Sequence, residues 1–338
     1  MPLIPIGTSA RGVSRWLVFV VMLVMGLIAV LLSLAMGSMD IGMPEVFRSL
    51  FVAEQTTEAR VVHEIRLPRV LCGFITGGML ALAGALMQVL LRNPLAEPYV
   101  LGVSGGAAVF ALAGMLIGLG TAWISVGAFI GAFVSMLLVF LLSRLGGDWN
   151  PLRILLTGIV VAAGWSAVIS LLLVTSPAGQ LHGMLFWLMG DLSYARYSHW
   201  YGLILIAVLL ACMPLARALN LLVQGELQAA SLGVSVLRLQ YFIYFAAALL
   251  TAMAVMQAGS IGFVGLVIPH LVRLLFGSDH RLLLPVSVLA GGSLLVIADG
   301  LARTVIAPQQ LPVGVLTAMI GVPLFLLLLQ TTSMRQKP

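Results

Sequence analysis

Along this chain the charged residues are rare punctuation between long apolar runs, and those runs show no alternation of polar and apolar positions. From Tyr99 to Ser143 there is no charged residue at all, more than twice the ~20 residues a helix needs to cross a hydrocarbon core about 30 Å thick. Two helices must share that run, and the "GLGT" of Gly118 to Thr121 supplies the turn. The runs are apolar on every face, whereas the strands of a membrane barrel alternate over about 10 positions. Reading each run as helix gives ten predicted spans: 16–36, 61–90, 94–112, 118–142, 153–175, 194–213, 238–258, 262–275, 281–300 and 311–331. The first follows Arg11 and Arg15 and is longer than the apolar region of a signal peptide, so it reads as a retained helix.

Composition agrees with the pattern. The 338 residues are 61% hydrophobic and 8% charged, with a mean hydropathy of +1.15, which excludes an ordinary soluble domain. The fold class is therefore an all-α membrane protein, one polytopic domain over residues 1–338. Cys72 and Cys212 both fall inside apolar runs, far apart, and read as buried small hydrophobes; no metal spacing or disulfide framework is present.

Charge sets the expected orientation. An even number of spans puts both termini on one side, and placing them in the cytoplasm assigns Arg11, Arg15, Arg92, Arg144, Arg153, Arg217, Arg238, Arg273, Arg281, Arg335 and Lys337 to that face. These are eleven of the seventeen basic residues, the asymmetry that the positive-inside rule requires. The exceptions crowd the other face: Arg60, Arg66 and Arg69 at the start of the second span, and Arg303 near the end of the ninth. They read either as snorkelling side chains and partners of Glu58 and Glu64, or as a basic lip for an acidic partner.

A weak inverted internal repeat points toward transport. "GALMQ" at Gly84–Gln88 and "MAVMQ" at Met253–Gln257 share Ala-x-Met-Gln, and by span parity they lie on helices of opposite direction. Inverted repeats commonly frame a transport path.

The chemistry missing from the chain is equally informative. A phosphate-binding G-x-x-x-x-G-K-[ST] loop requires a lysine, and the only one is Lys337. No H-E-x-x-H and no paired carboxylates on one helix face occur, so no catalytic residue is assigned and the chain does not read as an enzyme. Intramembrane ionisable residues are few. Asp299 and Arg303, four apart, read as an intrahelical pair, and His270 as a histidine hydrogen-bonded within the bundle. Around an outer loop stand His182, Met184, Met189, Tyr194 and His199. These types can ligate haem iron, and they equally suit an interfacial belt and packing.

One segment is neither apolar nor long. Residues 220–238 fall on the cytoplasmic side and contain "GELQAASLGV" from Gly225 to Val234. Gly225 can open a short helix, Glu226 complements its positive end, and Gly233 can close it through a left-handed cap. Ala229 and Ala230 then form a low surface that another protein can approach, in what is otherwise a plain connector.

That segment, together with "IRLPRVLCGFITGGMLALAGALMQVLLRNPLAEPYVLGVSGGA" at 65–107 and "AGSIGFVGLVIPHLVRLLFGSDHRLLLP" at 258–285, closely resembles the permease subunits of bacterial type II ABC importers for iron-siderophores, haem and cobalamin. The "ADGLAR" at 298–303 and "LPVGVLTAMIGVPLF" at 311–325 fit the same family, and the resemblance spans about residues 12–331. It implies a ten-helix inner-membrane subunit that works as a homodimer with the substrate path between copies. It implies two separate ATPase subunits carrying ATP and Mg, with no cofactor on this chain, and a periplasmic or lipid-anchored substrate-binding protein. Membrane lipid is a further expected neighbour and nucleic acid is not. The resemblance makes Gly225, Glu226, Ala229, Ala230, Leu232, Gly233 and Val234 the ATPase coupling element, and matches Arg66 and Arg303, with Arg69 as helper, to binding-protein docking. An inner gate would lie near Asn150, Pro151 and Leu152, where Pro151 biases Asn150 away from helix. Iron-siderophore stands first among cargoes on family breadth, before haem and cobalamin. An ion-gradient-driven secondary carrier is the rival, distinguished by working without an ATPase.

Overall fold

The computed structural model describes residues 14–37, 39, 41–51, 56–145, 150–193, 195 and 197–334, and the regular elements among them are helical. Arg11, Tyr194, Arg335 and Lys337 lie outside the described residues. In chain order the helices are α1 (Arg15–Ala35), α2 (Met43–Phe51) and α3 (Thr57–Arg60), which continues through a π-helical turn (Val61–Arg66) into α4 (Leu67–Leu90). A 3-10 turn (Pro98–Leu101) leads to α5 (Val103–Leu116), then α6 (Thr121–Arg144), α7 (Pro151–Thr175) and α8 (Ala178–Met189). After α9 (His199–Cys212) the chain bends by 65° into α10 (Ala216–Gln224). There follow α11 (Glu226–Ser231), α12 (Val236–Ala258), α13 (Val264–Phe276), α14 (His280–Thr304) and α15 (Val313–Met334).

A helix occupies each of the ten predicted intervals, but they differ in length. Six are long and apolar enough to cross a membrane alone, and the bent pair α9 and α10 makes a seventh if it is one span. α5, α13 and the apolar part of α15 are shorter. Ten crossings therefore require the bent pair and all three short helices to span. The turn read at Gly118 is present: Gly118 sits at φ 73 and α6 opens at Thr121. Two expectations change. The stretch read as an outer loop folds into α8, twelve residues that are apolar but too short to cross, and the 220–238 connector is mostly helical, with α10 reaching Gln224 and α12 starting at Val236.

α4 is the axis of the bundle. Every residue from Thr76 to Leu90 is buried, enclosed by α1, α12, α13 and α14. Lipid tails are as apolar as leucine, so association must come from close van der Waals contact and interhelical hydrogen bonds. The small residues of "GFITGGMLALAGALMQ" permit that contact. A Cβ on Gly84 would overlap the Gly265 carbonyl oxygen on α13, and one on Gly77 would stand 2.8 Å from the Gly291 carbonyl carbon on α14. Hydrogen bonds add specificity: Thr76 Oγ1 donates to Gln257 Oε1 (2.8 Å), Gln88 Nε2 to Leu266 O (3.1 Å) and Tyr244 OH to Met136 O (2.6 Å), each contributing about 0.6 kcal/mol in a membrane. Both glutamines of the repeated Ala-x-Met-Gln thus tie helices together, and α4 and α12, which carry them, run antiparallel: α4 goes from Arg69 toward Arg92, α12 from beside Glu226 toward Asp191.

Candidate functional site

The span parity derived from charge predicts which residues share an end. At one end Arg92 meets Glu226, and Arg15 Nη2 meets Asp279 Oδ2 at 3.0 Å. Asp279 also caps α14 through the Arg281 amide and accepts from Asn220 Nδ2. Partial burial raises the Asp279 pKa, but the Asn220 and Arg281 hydrogen bonds and the charges of Arg15 and Arg281 outweigh it and hold the carboxyl below its usual range. At the other end stand Arg66, Arg69 and Arg303.

The coupling segment folds as a short helix between two glycines that only glycine geometry allows. Gly225 has φ 142 and Gly233 φ 83. The end of α11 is a complete Schellman closure: Gly233 N donates to Ala230 O (3.0 Å) and Val234 N to Ala229 O (3.0 Å). Glu226 Oε1 lies 3.0 Å from Arg92 Nη2 and accepts from Gln240 Nε2 at 3.2 Å. Of the alanines expected to form a low contact surface, Ala230 is exposed but Ala229 is fully buried, because it faces the bundle. The exposed apolar face is made instead by Leu227, 90% exposed, and Leu232, 61% exposed. Leu227 was not anticipated; a leucine in the first turn of a short polar helix is its only sequence signal.

At the opposite end, two of the three arginines read as a basic lip turn inward. Arg66 and Arg303 are 4% and 7% exposed. Arg66 Nη1 donates to Leu34 O (2.7 Å) and Ala35 O (2.9 Å), and Nη2 to Met39 O. Arg303 donates to Met36 O (2.9 Å) and Ser33 O (3.2 Å). The physical cause is the end of α1, whose last carbonyls have no intrahelical donor and draw both guanidinium groups inward. Asp299 pairs with Arg303 as expected (Nε to Oδ2, 3.0 Å), and it also takes Arg69 (Nη2 to Oδ1, 2.8 Å). Arg69 reaches outward through Nη1 to Gln310 and Ser193. Arg48 and Arg60 are exposed at this end, along with the carboxylates of Glu45 and Glu64.

The remaining candidates separate. Asn150 caps α7, its side chain accepting from Leu152 N at 2.9 Å with φ −132, Pro151 takes the first helical position, and Leu152 is 60% exposed. His270 is buried and its Nδ1 has no hydrogen-bond partner among the described residues, unlike the bonded histidine expected. His182 and Met189 lie exposed on α8, while Met184 is fully buried. Cys72 and Cys212 are buried, as read. A cavity of about 280 Å³, walled by Met115, Ile124, Phe186, Trp187 and Gln257 with Asp191 beside them, opens between α5, α6, α8 and α12. It falls below the range of about 300–1,000 Å³ in which ligand pockets are found, too small for a metal chelate.

The chain is similar to known proteins over nearly its whole length. The FecCD transport family matches residues 23–331. The hemin transport system permease protein HmuU of Yersinia pestis is 41% identical over 321 residues, 90% of this chain and 93% of that protein. The vitamin B12 import system permease protein BtuC of Shigella boydii is 38% identical over 322 residues, 93% and 94% of the two chains. A solved metal-chelate type ABC transporter in an inward-facing conformation superposes with a TM-score of 0.82 at 30% identity, covering 93% of this chain and 98% of that one.

Proposed function

The chain belongs to the FecCD transport family, and on that premise we propose that it is the membrane-spanning subunit of an ATP-driven, binding-protein-dependent importer, working as a homodimer with two ATPase subunits. The observation that carries this reading is α11: a helix too short to span anything, projecting Leu227 and Leu232 at the polar end of an apolar bundle. Exposed leucines anchored on a rigid cap are what a partner protein would bury. The missing phosphate-binding loop supports a separate ATPase, and the small internal cavity supports a path between two copies. Both termini then face the cytoplasm with α11, and Asn150, Pro151 and Leu152 would sit at the same end as the inner gate.

The cargo is a metal chelate. Relatives carry hemin, vitamin B12 and ferric dicitrate by name; we place iron-siderophore first, with haem and cobalamin beside it. Docking of the binding protein is proposed at the opposite end, on Arg69, Arg66 and Arg303. Two of these hold the end of α1, so acidic lobes would first meet exposed Arg48 and Arg60, and pairing with Arg66 or Arg303 would release that helix end.

Purification of the tagged chain from its host in mild detergent, followed by mass spectrometry, tests the assembly: an ATPase subunit at one per permease is expected. A chain that comes out alone while still transporting along an ion gradient would be a secondary carrier. Leu227→Asp sharpens the test. Leu227 makes almost no contact within the chain, so the melting temperature should not move, while ATPase binding should weaken by about tenfold or more, as for a central interface anchor. Equal ATPase recovery from wild type and variant would remove α11 from the interface.

A further inference from the structure

We infer that Arg92 is the positioning residue through which the α11 segment moves the transmembrane bundle, an inference that rests on the importer reading above. The observation is a conflict between the backbone and the residue it carries. α4 ends in a Schellman closure: Arg92 N donates to Val89 O (3.2 Å) and Asn93 N to Gln88 O (3.1 Å), which leaves residue 92 at φ 48. That position ordinarily belongs to glycine, because a Cβ crowds the following carbonyl in the left-handed region. Among the described residues only Arg92 and Phe263 are non-glycine residues with positive φ. Ending the helix does not call for arginine there; glycine would end it with less strain.

What arginine adds is reach. Its Nη2 stands 3.0 Å from Glu226 Oε1, at the first position of α11, and the same carboxylate oxygen accepts from Gln240 Nε2 on α12. The two side chains are 38% and 34% exposed, and ion pairs that open to water contribute little to stability. Strain at one partner and a weak pair between them do not add up to a stabilising feature. They do make a geometric link, since backbone strain of this kind persists where a side chain must be aimed.

The link is placed to transmit. Four residues before Arg92, Gln88 ties α4 to α13 through Leu266 O. From there the helical rod runs unbroken back to Thr57, 34 residues in all, and passes Arg69, which holds Asp299 of α14 at the opposite end. A push on α11 therefore reaches α4 at its terminus, and α4 contacts α1, α9, α10, α12, α13 and α14.

The test uses the permease and ATPase complex in proteoliposomes, with Cys72 and Cys212 replaced and a fluorescent label at exposed Thr57, read before and after ATP with vanadate. Wild type should show a nucleotide-dependent change at the label. Arg92→Gly should retain the ATPase, keep or raise its melting temperature because the strained position is relieved, and lose the label response by about tenfold. The exchange Arg92→Glu with Glu226→Arg should restore it. An Arg92→Gly complex that responds like wild type overturns the inference, as does a loss of response accompanied by a lowered melting temperature and no rescue by the exchange. A wild-type chain that binds no ATPase overturns the importer reading and this inference together.

Discussion

Asp299→Ala is expected to lower the stability of the folded chain by about 3–5 kcal/mol, the cost of leaving buried charge without its partner. The carboxylate is 1% exposed and answers two guanidinium groups, Arg69 at 2.8 Å and Arg303 at 3.0 Å. Arg303 would keep its bonds to Met36 O and Ser33 O, but those carbonyls carry no net charge. Arg69 would keep only the more distant Asp191, at 3.9 Å, and two positive groups would face each other without the carboxylate between them. Asp299→Asn should lie between, since an amide can still accept from one arginine and cannot neutralise either. Thermal unfolding in detergent, followed by size exclusion of what remains soluble, orders the three proteins. A melting temperature for Asp299→Ala within a degree or two of wild type would mean that water or lipid headgroups reach the cluster. Arg69→Ala should cost less, because Arg303 still balances Asp299.

That cluster also shows where sequence reading stops. The pair at 299 and 303 was legible because a spacing of four on a helix places side chains on one face. Arg69 is 230 residues away from Asp299, and no local rule connects them. The inward turn of Arg66 and Arg303 was hidden for a related reason: it depends on where α1 ends in space, which places unsatisfied carbonyls beside two other helices. Helix type and rough extent, by contrast, came through because uncharged runs of about 20 residues have few other uses. The short pieces did not, since the amphipathic α2 and α10 and the apolar α8 are 9, 9 and 12 residues long and are stabilised by docking against the bundle rather than by their own length.

At the coupling end the split is the same. The two glycines and the glutamate of "GELQAASLG" announced a capped short helix, and the structure has it between φ 142 and φ 83. Which alanine faces outward was a question of helix phase against the bundle, and Ala229 went in while Leu227 went out. The partner of Glu226 lay 134 positions earlier, in "LLRNPLA", where an arginine beside Asn-Pro reads as an ordinary basic residue after a span.

Gly84→Leu is expected to be the most damaging substitution in an apolar span. A Cβ there would overlap the Gly265 carbonyl oxygen and lie 2.5 Å from its carbonyl carbon, so backbone rather than a flexible side chain must give way. Overpacking of a close contact costs about 1–3 kcal/mol and occasionally more, and here three further heavy atoms follow the Cβ into the same gap. Gly84→Ala should show part of the loss. Gly164→Leu is the control: it is a glycine in the exposed middle of α7 with nothing within 4 Å of an added Cβ, and leucine is the better helix former by most of a kcal/mol. It should melt at or above the wild-type temperature. If Gly84→Leu melted there too, α4 and α13 would not meet at these glycines. A second consequence separates packing from mere tolerance. Gly84 lies about two turns from Arg92 along α4, so wedging α4 away from α13 also shifts the end that holds Glu226. Gly84→Ala, folded but displaced, should therefore answer the ATPase less than its melting temperature alone would predict.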